Sequence, residues 1–177
     1  MPATTRTPVA DGVVETRNGK KVLRFERRLK HPVRAVWSAL TEPEELSAWL
    51  AEPQRLELVA GGTVTLRWMN TGPDGEHPVV HGTVTEVDPP KVLEYQTDVH
   101  GLLRWELRED GEHTVLTLTG TLQASEVITM MQLAGWHWHL DALAGALDGR
   151  PPDWSRWMPD GLAEWATIHF GYVTKYG

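Results

Sequence analysis

Apolar and polar residues alternate at the start of the chain: Leu23, Phe25, Arg27 and Leu29 face one way, and Arg24, Glu26 and Arg28 the other. This period of two predicts a strand with one apolar face. The period changes after His31-Pro32, where proline suits a first helical turn. Val33, Val36, Trp37 and Leu40 then recur at helical spacing, and Leu46, Trp49 and Leu50 do so again shortly after. Between these two short helices, Thr41-Glu42-Pro43-Glu44 reads as a capping box, with the Thr41 hydroxyl accepting from the Glu44 amide. Helices this short cannot bury themselves, so they must close over something larger.

That larger element is a sheet. Asn18-Gly19 joins residues 13–17 to 21–30 as a hairpin, because a type I′ turn needs positive φ at both central residues. Further strand-like runs occupy 56–59, 63–69, 79–87, 92–97, 102–108 and 114–122, separated by Gly, Pro and Asp turn chemistry. The short connections favour antiparallel pairing over parallel crossovers. From 125 to 147 the spacing returns to three and four, which places Leu133, Trp136, Leu140, Leu143 and Leu147 on one face of a long helix. Trp138, Ala142 and Ala146 fall on another face. The expected cover for that face is the segment 154–177, packed on the same domain or on a partner chain, so that a homodimer stays open. Residues 1–10 read as a flexible tail.

Composition narrows the classes. A chain of 177 residues suits one domain. A net charge of −7 with scattered Arg and Lys leaves no electrostatic footprint for nucleic acid or an anionic membrane. The absence of cysteine excludes disulfides, thiolate metal sites and a cysteine nucleophile. No run approaches the ~20 apolar residues of a membrane span, and the first residues lack a signal-peptide core, so a cytoplasmic location is expected. Nine tryptophans stand against two phenylalanines. An indole offers a large apolar surface and one donor, which suits a core or a ligand cavity equally.

The ordered set FERRLKHPVRAVWSALTEPEELSAWL, GTVTEVDPPKVLEY, LRWELRED and AGWHWHLDALAGALDG resembles the START-like (SRPBCC) superfamily, and within it bacterial homologues of the activator of heat-shock-protein-90 ATPase. The resemblance spans residues 11–150. It implies an α+β helix-grip (Bet v 1-like) fold: a curved antiparallel sheet around a long C-terminal helix, two short helices after the first strand, and a hydrophobic cavity between sheet and helix. Superfamily members include lipid carriers, receptors and cyclases, so the fold alone does not fix an activity.

His137 and His139 are two apart on a helix, which turns them ~200° from each other, so they cannot share a metal ion. No H-E-x-x-H, G-x-S-x-G, P-loop or G-x-G-x-x-G pattern is present. No metal and no cofactor is expected. Glu94 and Glu106 alternate with apolar neighbours and should point outward. Arg27 falls on the apolar face and needs a partner or a snorkelling route to water, an intramolecular carboxylate being expected ahead of an anionic ligand head group. Trp68, Tyr95 and Trp105 share their strands' apolar faces and are expected to meet Leu133, Trp136, His137 and Leu140 of the long helix as a cavity wall. His81, Thr83, Tyr95 and the Trp105 indole would fix a ligand there, and Trp37 and Trp49 would close one end. The leading expectation is non-enzymatic binding of a small hydrophobic molecule, lipid or polyketide-like. The alternatives are an interaction protein modulating a chaperone ATPase, and a cavity enzyme (cyclase or hydrolase) relying on His81 or His137.

Overall fold

The computed structural model describes residues 11–177, so the expected tail lies outside the described residues. Strand β1 (Val13–Arg17) turns through Asn18 (φ 50°) and Gly19 (φ 77°) into β2 (Lys20–Leu29), the positive-φ pair the hairpin signal requires. Two short helices follow, α1 (Val33–Thr41) and α2 (Pro43–Trp49). Next come β3 (Ala51–Leu56), β4 (Thr63–Trp68), β5 (Val79–Asp88), β6 (Val92–Thr97), β7 (Gly101–Asp110) and β8 (His113–Leu122). The long helix α3 (Glu126–Leu147) begins at Ser125, whose hydroxyl accepts from the Ile128 amide at 3.2 Å, the bond expected of an N-cap serine. A turn at Trp154–Arg156 and an irregular turn at Trp157–Gly161 lead into α4 (Leu162–Tyr176).

All eight strands form one antiparallel sheet in the order β1-β2-β8-β7-β6-β5-β4-β3. β3 to β8 make a simple meander, and β2 closes against β8 with Phe25 opposite Leu118. The α1–α2 pair carries the chain from β2 to the far edge at β3. The curved sheet grips α3, as the resemblance implies, and Leu133, Leu140 and Leu143 are fully buried with Phe25, Leu103, Trp105 and Leu118. α4 covers the other side of α3, where the Trp138 indole donates to Glu164 at 3.1 Å.

Two local expectations are corrected. No capping box forms: the Thr41 hydroxyl donates to the Trp37 carbonyl within α1 at 2.8 Å, and α2 starts after Glu42 without a side-chain cap. With Pro43 in the first helical position, Glu42 rather than Thr41 is the N-cap residue, and Thr41 remains the last residue of the preceding helix. The first meander strand is Ala51–Leu56 rather than 56–59. Pro53 argues against a strand in the sequence, but β3 is an edge, where a missing amide is tolerated, and a register shift follows it between Pro53 and Arg55.

Candidate functional site: an aromatic cleft beside the long helix

Much of the expected cavity wall is solid core. Trp105 is 1 % exposed, and its indole donates to the Tyr95 hydroxyl at 3.1 Å. Burial pushes the Tyr95 phenol up to about 12, so it stays neutral. Leu133 and Leu140 are fully enclosed. Trp105 meets Trp49 edge-to-face at 5.9 Å and Trp136 at 5.8 Å, and the Trp49 indole donates to the Ala39 carbonyl at 2.8 Å. Trp49 therefore anchors the α1–α2 pair on the core, with Trp37 half-buried against the same cluster.

An aromatic-lined open space lies next to this core. A cleft of about 380 Å³ is bounded by Trp68 at the end of β4, Asn70 and Pro73 in the β4–β5 turn, and His100 before β7. Met131, Gln132, Gly135, Trp136 and His139 of α3 form its second side, and Trp157, Leu162 and Trp165 of the C-terminal segment its third. Trp68 stacks on His100 at 4.9 Å and meets Trp136 edge-to-face at 6.1 Å. The Trp157 indole donates to the Thr71 carbonyl at 3.1 Å, and that of Trp154 to the Ser47 carbonyl at 3.2 Å, which tie the C-terminal segment across the cleft's side of the molecule.

The imidazoles in this wall are neutral. His100 Nδ1 donates to Gln132 Oε1 at 2.8 Å, and burial holds its pKa below the ordinary histidine value. His139 Nδ1 donates to the Gly135 carbonyl at 2.8 Å, and burial lowers its pKa to about 4. Among the described residues, no group of three or more His, Asp or Glu is placed to hold a metal ion.

Of the residues singled out in the sequence, the cleft brings together Trp68 and Trp136. His81 is corrected: it is exposed on the outer face of β5, as is Thr83, because Val80, Gly82 and Val84 take the inward positions. His137 is corrected too. It faces α4, where the Tyr172 hydroxyl lies 2.7 Å from its Nδ1 and Asp141 lies 3.5 Å from its Nε2. The carboxylate can only accept, so the proton of the neutral ring sits on Nε2 and the Tyr172 hydroxyl donates to Nδ1. Tyr172 also accepts from the Gly12 amide at 2.7 Å, so this cluster clasps the start of the described chain to its C-terminal helix. Arg27 joins it through Asp141 at 3.7 Å, the intramolecular carboxylate its position calls for. Glu94 and Glu106 point outward as expected and flank Arg104 at 2.9 and 3.4 Å.

His139, His100, Asn70 and Gln132 were missed. His139 carries a legible signal, since Trp136, His139 and Leu140 fall at i, i+3 and i+4 and so share a helix face. Asn70 and His100 lie in turns, where no periodicity reports direction.

A curved antiparallel sheet wrapped on a long C-terminal helix, with a small hydrophobic cleft beside that helix, defines a START-like, helix-grip protein. The chain belongs to the family described as activator of Hsp90 ATPase homolog 1-like protein, whose family model matches residues 30–148. The match ends before the segment that supplies Trp157, Leu162 and Trp165 to the cleft. Among solved structures, the chain is similar to CalU16 from Micromonospora echinospora, with 22% identity, TM-score 0.71, and 93% of this chain and 96% of that chain covered. It is similar to the protein encoded by gene BPP1335 of Bordetella parapertussis, at 28% identity, TM-score 0.66, and 93% and 90% covered. A third likeness is to DynU16, a protein in the dynemicin biosynthetic locus, at 20% identity and TM-score 0.60, covering 73% of this chain and 48% of that one. No curated protein matches the chain.

Proposed function

We propose that the chain binds a small, flat hydrophobic molecule, polyketide-like, in the cleft beside α3, and carries it without reacting with it. The observation that supports this reading most is the make-up of the walls: Trp68, Trp136, Trp157 and Trp165 converge on a space of about 380 Å³, within the usual range of ligand sites. Flat indole faces suit fused rings better than a flexible acyl chain, because stacking rewards planar surfaces and costs a rigid ligand little ordering entropy. His100 and His139, held neutral by burial, suit hydrogen bonding better than proton transfer at neutral pH.

The test is a titration of intrinsic tryptophan fluorescence with a panel of fused-ring aromatics and fatty acids, with native mass spectrometry for stoichiometry. Saturable quenching by the aromatics at one equivalent is the expected result. Gly135→Leu supplies the control. A Cβ at Gly135 meets its nearest neighbour, Trp165 Nε1, at an ordinary 3.9 Å, and the rest of a leucine side chain occupies the cleft. That variant should fold and lose affinity by about tenfold or more, the scale of a ligand denied its pocket. Quenching by fatty acids alone would move the ligand class to lipids. Unchanged aromatic binding in Gly135→Leu would remove the cleft as the site.

A further inference from the structure

Two residues that line the cleft each carry a buried polar atom for which the described residues supply no partner, and both atoms are acceptors. His139 is 5 % exposed. Its Nδ1 lies 2.8 Å from the Gly135 carbonyl, which can only accept, so Nδ1 carries the proton of the neutral ring. The lone pair is therefore on Nε2, and Nε2 is buried with no hydrogen-bond partner among the described residues. Asn70 Oδ1, just beyond β4, is buried and unpartnered in the same way. Both residues line the one cleft. An acceptor buried without a donor is unfavourable, and native interiors rarely keep one, let alone two on residues that line the same cleft.

Two of the nearby donors are committed elsewhere. The Trp157 indole is bonded to the Thr71 carbonyl and the His100 Nδ1 proton to Gln132. What would satisfy both acceptors is a donor brought by the occupant. We infer that the cleft selects hydroxylated aromatic molecules: the ring system lies against the tryptophans, and phenol-type O–H groups donate to His139 Nε2 and Asn70 Oδ1. This rests on the binding function proposed above and narrows it from hydrophobic molecules in general to hydrogen-bond donors. It also assigns His139 and Asn70 as the residues that set specificity.

The experiment compares 2-naphthol with 2-methoxynaphthalene, which keeps the ring and the oxygen but lacks the donor. Affinities are read by tryptophan fluorescence and calorimetry on the full chain at neutral pH. The naphthol should bind about tenfold tighter or better, since a site built to accept from a hydroxyl rejects its ether. His139→Phe and Asn70→Leu should each narrow that ratio while binding of the ether holds or improves. A second readout needs no substitution: the ¹⁵N resonance of His139 Nε2 should shift toward its hydrogen-bonded position on adding the naphthol and stay put with the ether. Equal affinity for the two probes, with an unmoved Nε2 resonance, overturns the selection of donors and leaves the hydrophobic cleft standing. Failure of both probes to bind overturns the cleft reading and this inference with it.

Discussion

His139 is the residue on which most of the site's physics turns. Its ring is enclosed by Trp68, Trp136, Trp138 and Trp154, with centroids 5.1–6.4 Å away. Burial makes the imidazolium unfavourable there and lowers the pKa from the ordinary 6.5 to about 4; the hydrogen bond to Gly135 opposes this only in part. An unfolded chain returns the ring to its ordinary value, so between about pH 6.5 and 4 the unfolded state binds the extra proton. Stability is therefore fully present above that window and falls as the pH drops through it, by roughly 3 kcal/mol from this residue alone. His100, also depressed by burial, adds a loss of the same sign. Urea unfolding at several pH values from 7 to 4.5 should show a falling midpoint, and His139→Phe should flatten the fall. An unchanged slope in that variant would mean the ring is not held neutral. None of this was visible in the pattern of the chain, which directed attention to His137 and its Asp141 neighbour. An i, i+4 pair is easily seen in a sequence, whereas the environment that sets a lone histidine's character belongs to the fold.

At the scale of elements, the reading of the sequence was strongest where one face of an element is apolar. β4 to β8 lie within a residue or two of the expected bounds because burial on one side enforces a clean period, and α3 does so between its Ser125 cap and the turn at Gly149. It was weaker where proline intervened. Pro43 displaced the expected cap of α2, and Pro53 concealed an edge strand. α3 also shows how an element can serve two masters. The sheet buries one side and α4 another, so tryptophan or histidine occupies four consecutive positions from Trp136 to His139, all of them buried. Gly135 sits at the start of that run, inside a helix, where glycine is less favourable than alanine by roughly 0.5–1 kcal/mol. The cleft gives this position its interest, since any large side chain here enters the ligand space. Alanine is small enough to avoid this, its Cβ meeting only Trp165 at 3.9 Å. Gly135→Ala should therefore raise stability by about 0.5–1 kcal/mol in chemical denaturation with the cleft still open. A loss of stability would show that the α3–α4 contact is tighter than this spacing allows.

For the whole molecule, the fold was legible and the location of the site was not. The alternation that marks Tyr95, Trp105, Leu133 and Leu140 as inward is the same for a packed core as for a hollow one. Only side-chain volumes in three dimensions distinguish them, and indoles fill that space. The aromatic-lined cleft lies instead where three distant stretches converge: the turns beside β4 and β7, residues 131–139 of α3, and residues 157–165. This makes the C-terminal segment part of the site as well as a cover. Tyr172 (3 % exposed) and Trp157 (8 %) are buried by the rest of the chain, and Trp138 (7 %) and His137 (7 %) lie beneath α4. A chain ending at Pro151 would uncover several large side chains, each worth about 1.5–3 kcal/mol when buried, so a destabilisation of about 5 kcal/mol or more is expected. Such a loss is comparable to the total stability of many domains. The full chain should melt in a single cooperative transition, and the shortened one should melt far lower, bind a hydrophobic dye and lose the aromatic ligand. Calorimetry of both chains checks this. A shortened chain with an unchanged melting temperature would make residues 152–177 an independent appendage, and the cleft, deprived of Trp157 and Trp165, would have to bind without its third wall.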